Sequence, residues 1–497
     1  MQKLSKHFYL ILILVHLIIT IPLAYILNIW VDEASTLYNT EHGFIHTFQN
    51  VFHTEKQAPL YFLLLSLWRD IDASVFFSRL FSIICSCLAI KVFYDLVRNF
   101  FAERERLLLT AFFALHPFLI WISLEIRLYS IIVLLSCLLL KFFAEGYLEN
   151  QKKGQIFYIV IAIIALYTNY YLGFLLVGGF LGLLILRRGK EAKTYFWQML
   201  IVGAAILPLL WAIKMQLAVN TSGHKEVTHF IDGVKTLWGH FLVFVFPTEL
   251  LPGEDQTTIS VIRVWLIRLS ILAVILLLIK NKFRDLDDKV WLFGTFSAVI
   301  FGFMMFAFSI LGGEYIALRH AAVIFVPLIL FIAAIFTNVL PVRSWAVLAI
   351  IFTLLFPYSI YKLYPTFAKR GDWKNIAQFI QANEKPDQVI ITSQAYDAIS
   401  LPYHYKGINK VLPDERFFEW NVEDTLKSEN AFKKQTAFIL SEIPPETKEI
   451  WLLTRDTCHL PETAPSCRPL ENFVQENYTI EIEKDFYLEK LRLLRKK

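Results

Sequence analysis

The stretch Trp30-Val31-Asp32-Glu33-Ala34-Ser35 directly follows the first long apolar segment of the chain. It places two adjacent carboxylates where a membrane helix would emerge into water. Charge at that depth is costly, so ionisable residues found there indicate function more often than packing. We therefore expect Asp32 to take part in the chemistry of the protein and Glu33 to support it.

The composition of the chain predicts a polytopic α-helical membrane protein. Of its 497 residues, 56% are hydrophobic, 15% are aromatic and only 18% are charged, whereas soluble domains average about 25% charged residues. The mean hydropathy is +0.51. The net charge of +5 is small for this length. Because no basic groove or stacking pattern accompanies it, we expect no nucleic-acid partner.

Apolar runs of membrane-spanning length recur along the first three quarters of the chain, and we predict about eleven transmembrane helices. The first run follows Lys3, Lys6 and His7. It is interpreted as an uncleaved helix because it is long enough to span and no small-residue cleavage site follows it. The predicted spans are 8–28, 74–97, 107–122, 127–148, 155–169, 171–187, 195–215, 261–280, 290–311, 316–337 and 344–362.

Loops rich in lysine and arginine alternate with loops poor in them along these spans. The loop around Arg187, Arg188, Lys190 and Lys193 is rich in them, whereas the turn at 123–126 carries only acidic charge. Cytoplasmic loops carry the excess of positive residues. The pattern predicts a multi-pass protein of the plasma (inner) membrane, with a cytoplasmic N-terminus and an extracytoplasmic C-terminal region.

The composition becomes that of a soluble protein near Pro365. We predict a transmembrane domain with outer-face loops over residues 1–364 and a small soluble extracytoplasmic α/β domain over residues 365–497. The predicted elements of the second domain are an amphipathic helix at 373–383, buried strands at 388–392 and 449–454, and a terminal hairpin at 478–495 that turns around 483–485.

The polar stretch after Asp32 predicts an amphipathic helix in the membrane interface, because apolar residues recur in it at roughly helical spacing. These residues are Leu37, Phe44, Phe48, Val51 and Phe52. Two pairs of side chains leave alternatives open. His42 and His46 are either exposed interfacial histidines or a metal-binding pair. Cys458 and Cys467 either form a disulfide or remain thiols.

Several short motifs follow one another along the predicted outer face. They are Gln57-Ala58-Pro59-Leu60-Tyr61, Ser78-Arg79-Leu80, Glu125-Ile126-Arg127-Leu128-Tyr129, Asn169-Tyr170-Tyr171, Arg319-His320 and Gly371-Asp372-Trp373. In this order, they resemble the polyprenyl-phosphate-dependent glycosyltransferases of the GT-C class. The closest resemblance is to the bacterial branch similar to protein O-mannosyltransferases and aminoarabinose transferases. Gln57 and Asn169 depart from it, since similar proteins often carry a basic or imidazole group at these places.

The resemblance implies transfer of a sugar from a polyprenyl-phosphate donor to a protein, lipid or glycan acceptor, with inversion. Such a reaction needs a base for the acceptor proton and positive groups at the leaving phosphate. The catalytic candidates are Asp32 and Glu33. The candidates for phosphate binding are Arg127, Arg79, Lys56, His53 and Arg319, because guanidinium groups match phosphate oxygens. The supporting candidates are Glu125, Tyr61, Tyr129, Gln57 and Asn169.

Three alternatives remain beside this interpretation. A divalent cation held by Asp32, Glu33 and Glu125 would neutralise the phosphate, and arginine can do the same, so the metal requirement stays open. A transporter or flippase of lipid-linked sugars is the second functional class, although its charged or broken segments should lie at mid-membrane. A non-catalytic subunit that scaffolds a glycan-building machine is the third.

Overall fold

The computed structural model describes most of the chain in separate ranges. These are residues 7–54, 57–210, 286–311, 318–339, 352–361, 371–392, 400–412, 443–455 and 464–497, with single positions between 213 and 244 and at 364, 437, 440 and 441. The predicted span at 261–280 lies outside the described residues, as does most of the predicted span at 344–362 before Phe352.

The described part of the chain is mainly α-helical. Its helices are α1 (Phe8–Ile26), α2 (Val31–Asn39), α3 (Gly43–Thr54), α4 (Leu60–Arg69), α5 (Val75–Val97), α6 (Glu103–Leu115), α7 (Pro117–Ser123), α8 (Tyr129–Phe143), α9 (Lys152–Thr168), α10 (Gly173–Ile185), α11 (Gly189–Ala205), α12 (Asp288–Leu311), α13 (Ala322–Val339), α14 (Phe352–Tyr361), α15 (Trp373–Asn383) and α16 (Ala464–Asn477). A π-helical turn, Ala144–Leu148, extends α8, and short 3-10 turns at Tyr170–Leu172 and Leu318–Ala321 precede α10 and α13.

Several of these helices are long and apolar enough to cross a membrane. Within the described residues they number five, or six when α6 and α7 are taken as one span bent by 47°. The bend falls at His116 and Pro117, as expected where a proline interrupts a helix. The apolar helices confirm the membrane-protein class, while the number of eleven spans stays a prediction.

The chain divides into two compact units. The first comprises residues 1–24 and 42–363, and the second comprises residues 25–41 and 364–497. The segment with Asp32 and Glu33 therefore belongs to the same unit as the C-terminal part of the chain, although more than 300 residues separate them in sequence.

Buried hydroxyl groups accompany apolar packing in the first unit. Helices α5 and α8 lie side by side, and the hydroxyl of Ser86 bonds to that of Ser130 at 3.2 Å. Between α9 and α11, the hydroxyls of Tyr158 and Tyr195 lie 2.6 Å apart. Tyr195 also donates to the main-chain carbonyl of Leu176. Each of these polar groups has a hydrogen-bond partner, as burial in an apolar environment requires.

The second unit contains a five-stranded mixed sheet in the order β2-β1-β3-β5-β4. The strands are β1 (Val389–Thr392), β2 (Lys410–Leu412), β3 (Glu449–Arg455), β4 (Tyr478–Phe486) and β5 (Glu489–Lys496). Strand β1 pairs in parallel with β2 and β3, whereas β5 pairs antiparallel with β3 and β4. Apolar side chains of β1, β3 and α16 form a core with Leu412 and Leu494. The fold class predicted from the sequence is confirmed.

Two local predictions are wrong in detail. The hairpin turns at Tyr487 and Leu488 rather than around 483–485, and Leu488 has a positive φ of 64°. Ile480 and Ile482 flank a register shift in β4, so the side-chain alternation that suggested an earlier turn is broken there. The single interfacial helix predicted after Asp32 is instead two helices, α2 and α3. Gly43 begins α3 with a φ of +82° that few other residues adopt.

Candidate active site

The first turn of α2 carries the two predicted catalytic carboxylates. Asp32 is half-buried, whereas Glu33 is fully buried. The Glu33 carboxylate accepts a hydrogen bond from the main-chain amide of Trp30, which precedes the helix, at 3.3 Å. This bond satisfies an amide that the helix itself leaves without a partner. The two neighbouring carboxylates therefore differ in their surroundings: Glu33 is enclosed and bonded to the start of α2, and Asp32 is partly exposed.

The segment that leads into α2 is bonded to the start of α15 in the same unit. The indole N–H of Trp373 donates to the carbonyl of Ile29 at 2.9 Å, and the main-chain amide of Lys374 donates to the side-chain oxygen of Asn28 at 3.0 Å. The ammonium of Lys374 donates to the carbonyls of Tyr25 and Ile26. Trp373 and Lys374, at the start of α15, thus both contact the backbone just before Asp32.

In the first unit, Glu125 and Arg127 lie in the turn between α7 and α8. Both are buried, with exposed fractions of 1% and 6%. The hydroxyl of Ser82 donates to the carbonyl of Glu125 at 2.6 Å, and that of Ser130 donates to the carbonyl of Ile122 at 2.8 Å. The Ile122 carbonyl lies in the last turn of α7, and the Glu125 carbonyl lies just beyond the end of that helix, where regular helical hydrogen bonds stop. The turn that holds Arg127 is therefore bonded to α5 through Glu125, and α8 bonds to the last turn of α7 just before it.

Arg79 is completely buried on α5, and one of its N–H groups donates to the carbonyl of Ala24 at 3.0 Å. Tyr61 and Tyr129 are buried as well. The ring of Tyr61 packs edge-on against Phe81 of α5, with ring centroids 5.8 Å apart. Part of the Arg79 guanidinium thus anchors a helix end, and Tyr61 contributes to the packing of α4 on α5.

The two positions that depart from the resemblance are in different surroundings. Gln57 is half-buried, just before Pro59, where α4 starts. Asn169 ends α9, and its side-chain oxygen accepts the amide of Tyr171 at 2.9 Å. This bond caps the following 3-10 turn in the manner of an asparagine N-cap. The presence of asparagine at position 169 is therefore explained by its role as the cap of the 3-10 turn.

The remaining phosphate-binding candidates are described only in part. Arg319 is half-buried in the 3-10 turn before α13. His53 lies in α3, but its side chain lies outside the described part of the chain, as does the whole of Lys56. For these two residues, the assignment to phosphate binding stays a prediction from the sequence.

The geometry of the His42 and His46 pair is described: His42 directly precedes α3, and His46 lies in its first turn. The rings of His42 and His46 meet edge to face with centroids 4.8 Å apart, and the amide of Asn50 lies 3.1 Å from Nε2 of His46. Among the described residues, no three His, Cys, Asp or Glu side chains form a group that could hold a metal ion. Phosphate neutralisation by arginine needs no such group.

Three kinds of contact residue were not among the candidates predicted from the sequence. Ser82 and Ser130 bond to the turn with Arg127, and Lys374 bonds to the backbone before Asp32. His116 caps the N-terminus of α7, and its ring bonds to the amide of Phe118 and to the carbonyl of Phe244. A signal existed for His116, because a His-Pro pair interrupts an apolar segment. Serines inside apolar helices carry no such signal.

Comparison with known proteins agrees with this architecture. Residues 56–211 match the family of dolichyl-phosphate-mannose-protein mannosyltransferases. This segment includes the turn with Glu125 and Arg127 but not Asp32. No curated protein matches the chain by sequence.

Solved structures resemble the chain over nearly its whole length. ArnT from Cupriavidus metallidurans in the apo state shares 12% identity, with 98% of each chain covered and a TM-score of 0.57. The same ArnT bound to undecaprenyl phosphate shares 11% identity, with 97% of each chain covered and a TM-score of 0.54. The apo oligosaccharyltransferase from Archaeoglobus fulgidus gives 12% identity and a TM-score of 0.48, over 93% of this chain and 71% of that one. The family match over residues 56–211 and the fold shared with ArnT together indicate an integral membrane glycosyltransferase of the GT-C class.

Proposed function

We propose that the protein transfers a sugar from a polyprenyl-phosphate donor to an acceptor hydroxyl on the outer face of the plasma (inner) membrane. The acceptor is a hydroxyl of a protein, a lipid or a glycan. The matched family acts with dolichyl-phosphate mannose, and one ArnT structure contains undecaprenyl phosphate. Both names support a polyprenyl-phosphate donor for this chain. Neither the family match nor the fold favours a transporter or flippase.

The chemical step is a single displacement that inverts the anomeric carbon. The acceptor oxygen forms a bond to that carbon while the bond from the carbon to the phosphate oxygen breaks. The acceptor proton passes to the Asp32 carboxylate, and the polyprenyl phosphate leaves with the bonding electron pair. A positioned carboxylate is a suitable general base for a hydroxyl that becomes acidic as it attacks.

The observation that carries the proposal is the difference between the two adjacent carboxylates. Glu33 is buried and bonded to the amide of Trp30, whereas Asp32 is half-buried on the same helix turn. A base must meet an acceptor that arrives from outside the protein. Asp32 suits this role, and Glu33 suits the role of holding the helix start.

We assign the stabilisation of the negative charge that develops on the leaving phosphate chiefly to Arg127. A guanidinium in a buried turn is pre-organised and acts in an environment of low dielectric constant, where it stabilises charge more than in water. Arg79, Arg319, Lys56 and His53 are further candidates. One N–H of Arg79 donates to the Ala24 carbonyl, so part of that guanidinium anchors a helix end.

The proposed topology has the N-terminus in the cytoplasm and the C-terminal region outside. Residues 25–41, which begin with the last two residues of α1, and residues 364–497 form one compact unit. Since α1 is long enough to span, this shared unit supports the proposal that its two parts lie on the side of the membrane opposite the N-terminus. This supports an odd number of spans, in keeping with the alternating charge of the loops.

The test is to purify the protein in detergent and supply a panel of polyprenyl-phosphate sugars together with a cell-envelope extract that provides protein, lipid and glycan hydroxyls as acceptors. Consumption of one donor, with appearance of free polyprenyl phosphate, is the expected result. The Asp32→Asn variant should bind the same donor without consuming it. Equal turnover by wild-type protein and Asp32→Asn would overturn the assignment of the base.

A further inference from the structure

The backbone before α2 is bonded at several successive points by one short stretch of α15. Carbonyl groups of Tyr25 and Ile26 accept from the Lys374 ammonium, and the carbonyl of Ile29 accepts from the Trp373 indole. Carbonyls in the last turn of a helix have no intrahelical donor, and a positive charge is favourable there. Lys374 therefore satisfies the end of α1 both by hydrogen bonding and by charge.

The chain around Trp373 is shaped for this contact. Trp373 has an exposed fraction of 1%, and Ile29 is completely buried. Gly371 has a φ of +96°, and a Cβ atom there would lie 2.5 Å from the Trp373 ring. Only glycine allows the backbone to pass this close to the indole in that conformation. Backbone conformation and packing thus both keep the indole N–H directed at the Ile29 carbonyl.

A further contact lies beyond the other end of α2. The hydroxyl of Tyr403 donates to the carboxylate of Glu41 at 3.0 Å. Glu41 comes shortly after α2, which ends at Asn39. The C-terminal part of the chain thus bonds to residues on both sides of the helix that carries Asp32.

We propose that Trp373 and Lys374 are positioning residues for Asp32, so that the C-terminal domain holds the general base in place for sugar transfer. This inference rests on the proposed function, since it needs Asp32 to be the base. The C-terminal domain then contributes to catalysis by fixing the position of Asp32. Displacement of a catalytic group by about 1 Å can lower a rate about 10²-fold.

Two substitutions remove the contacts, and each has a matched control in the same domain. Trp373→Phe removes the indole donor and keeps an aromatic ring. Its control is Trp451→Phe, because Trp451 is equally buried and its indole donates to Gln388 at 2.9 Å. Lys374→Met removes the ammonium. Its control is Lys497→Met, because the Lys497 ammonium donates to the carbonyl of Gln475.

The first readout does not depend on activity. Hydrogen-deuterium exchange of peptides covering residues 25–41 reports how firmly this segment is held. Trp373→Phe and Lys374→Met should speed exchange in these peptides, whereas Trp451→Phe and Lys497→Met should leave it unchanged. Exchange that stays the same in both test variants would overturn the inference, whatever reaction the protein catalyses.

The second readout is kinetic. Trp373→Phe and Lys374→Met should lower kcat about tenfold to 100-fold with little change in the KM for the donor, since the base and not the donor site is displaced. Lys374→Arg should restore most of kcat, because it keeps a positive donor at the end of α1. Test variants as active as their controls would refute a positioning role.

A parallel measurement on Asp32→Asn separates the two ideas. If Asp32→Asn loses transfer while Trp373→Phe matches Trp451→Phe, the positioning inference is wrong and the proposed function stands. If Asp32→Asn transfers sugar normally, the assignment of Asp32 as base is wrong, and with it the positioning role.

Discussion

The Ser82 hydroxyl donates a 2.6 Å hydrogen bond to the main-chain carbonyl of Glu125. It joins the middle of α5 to the turn that carries Arg127. One helical turn further along α5, Ser86 bonds to Ser130 of α8, which in turn donates to Ile122. The backbone around Arg127 is therefore bonded to α5 at Glu125 and to α8 at Ile122, and a backbone held in this way favours the pre-organised charge that catalysis by charge stabilisation requires.

Replacing Ser82 with Ala should weaken this arrangement. The loss of one buried hydrogen bond costs about 1 kcal/mol of stability, and the KM for the donor should rise because the turn is no longer held from α5. Ser136→Ala is the control, because the Ser136 hydroxyl donates within α8 to Ile132. Thermal unfolding and donor titration measure the two effects. An equal change in donor KM for both variants would contradict the role of Ser82.

The two carboxylates of α2 should respond differently to amide substitution. Asp32→Asn removes the base and should lower kcat by about 10²–10⁴-fold. Glu33→Gln keeps an oxygen that can accept the Trp30 amide, so its loss of activity should be much smaller. Single-turnover rates with bound donor measure this difference. If Glu33→Gln were the more damaged variant, the roles of the two residues would have to be exchanged.

Arg127→Ala should weaken use of the donor. A hydrogen bond to a charged group contributes about 1.5–3 kcal/mol, which corresponds to a rise of roughly tenfold to 100-fold in the apparent dissociation constant. Arg127→Lys should restore part of the loss, since it keeps the charge but not the planar fork. Arg188→Ala is a suitable control because Arg188 donates to the Leu148 carbonyl, far along the chain. Equilibrium binding of polyprenyl phosphate measures the change, and unchanged affinity in Arg127→Ala would remove this assignment.

The sequence predicted those parts of the molecule that follow from local patterns. The bounds of α15 agree with the amphipathic period of residues 373–383, and β1 and β3 agree with their short apolar runs. The sequence did not predict the division into α2 and α3. The apolar residues on the two sides of residues 40–43 keep one helical spacing, whereas the backbone at Gly43 takes a positive φ.

Contacts between distant residues could not be predicted in the same way. Trp373 and Ile29 are 344 residues apart, and nothing in the pattern of either segment indicates a pair. Ser82 and Glu125 lie on separate elements, and a serine in an apolar helix looks alike whether it bonds within its own helix or across to another. The candidate residues could therefore be named from the sequence, but the groups that hold them in place could not.

The orientation of the chain can be measured with single cysteines in a background in which the native cysteines are replaced by serine. Ile408 is 69% exposed, so Ile408→Cys should react with a membrane-impermeant maleimide added to intact cells. Gly189 starts α11 beside the basic loop and has open space around it, so Gly189→Cys should react only after the membrane is permeabilised. The reverse pattern would place the C-terminal domain in the cytoplasm.

The stability of the C-terminal domain should fall in acid through Glu449. Hydrogen bonds from Arg495 and then from Gln388 hold the pKa of the Glu449 carboxyl below its usual value. A depressed pKa in the folded state contributes stability above the unfolded pKa, and this contribution is lost as the pH falls through the folded value. Glu449→Gln should therefore lower the unfolding temperature at neutral pH and show a smaller further drop on acidification to well below the ordinary glutamate pKa of about 4.3.

The control for this prediction is Glu483→Gln. Glu483 is paired with Lys490 at 3.5 Å, but its side chain is 46% exposed, and exposed ion pairs contribute little. Thermal unfolding of both variants across the acid range separates the two carboxylates. If Glu449→Gln followed the wild-type pH dependence, the contacts with Arg495 and Gln388 would not be a source of acid sensitivity.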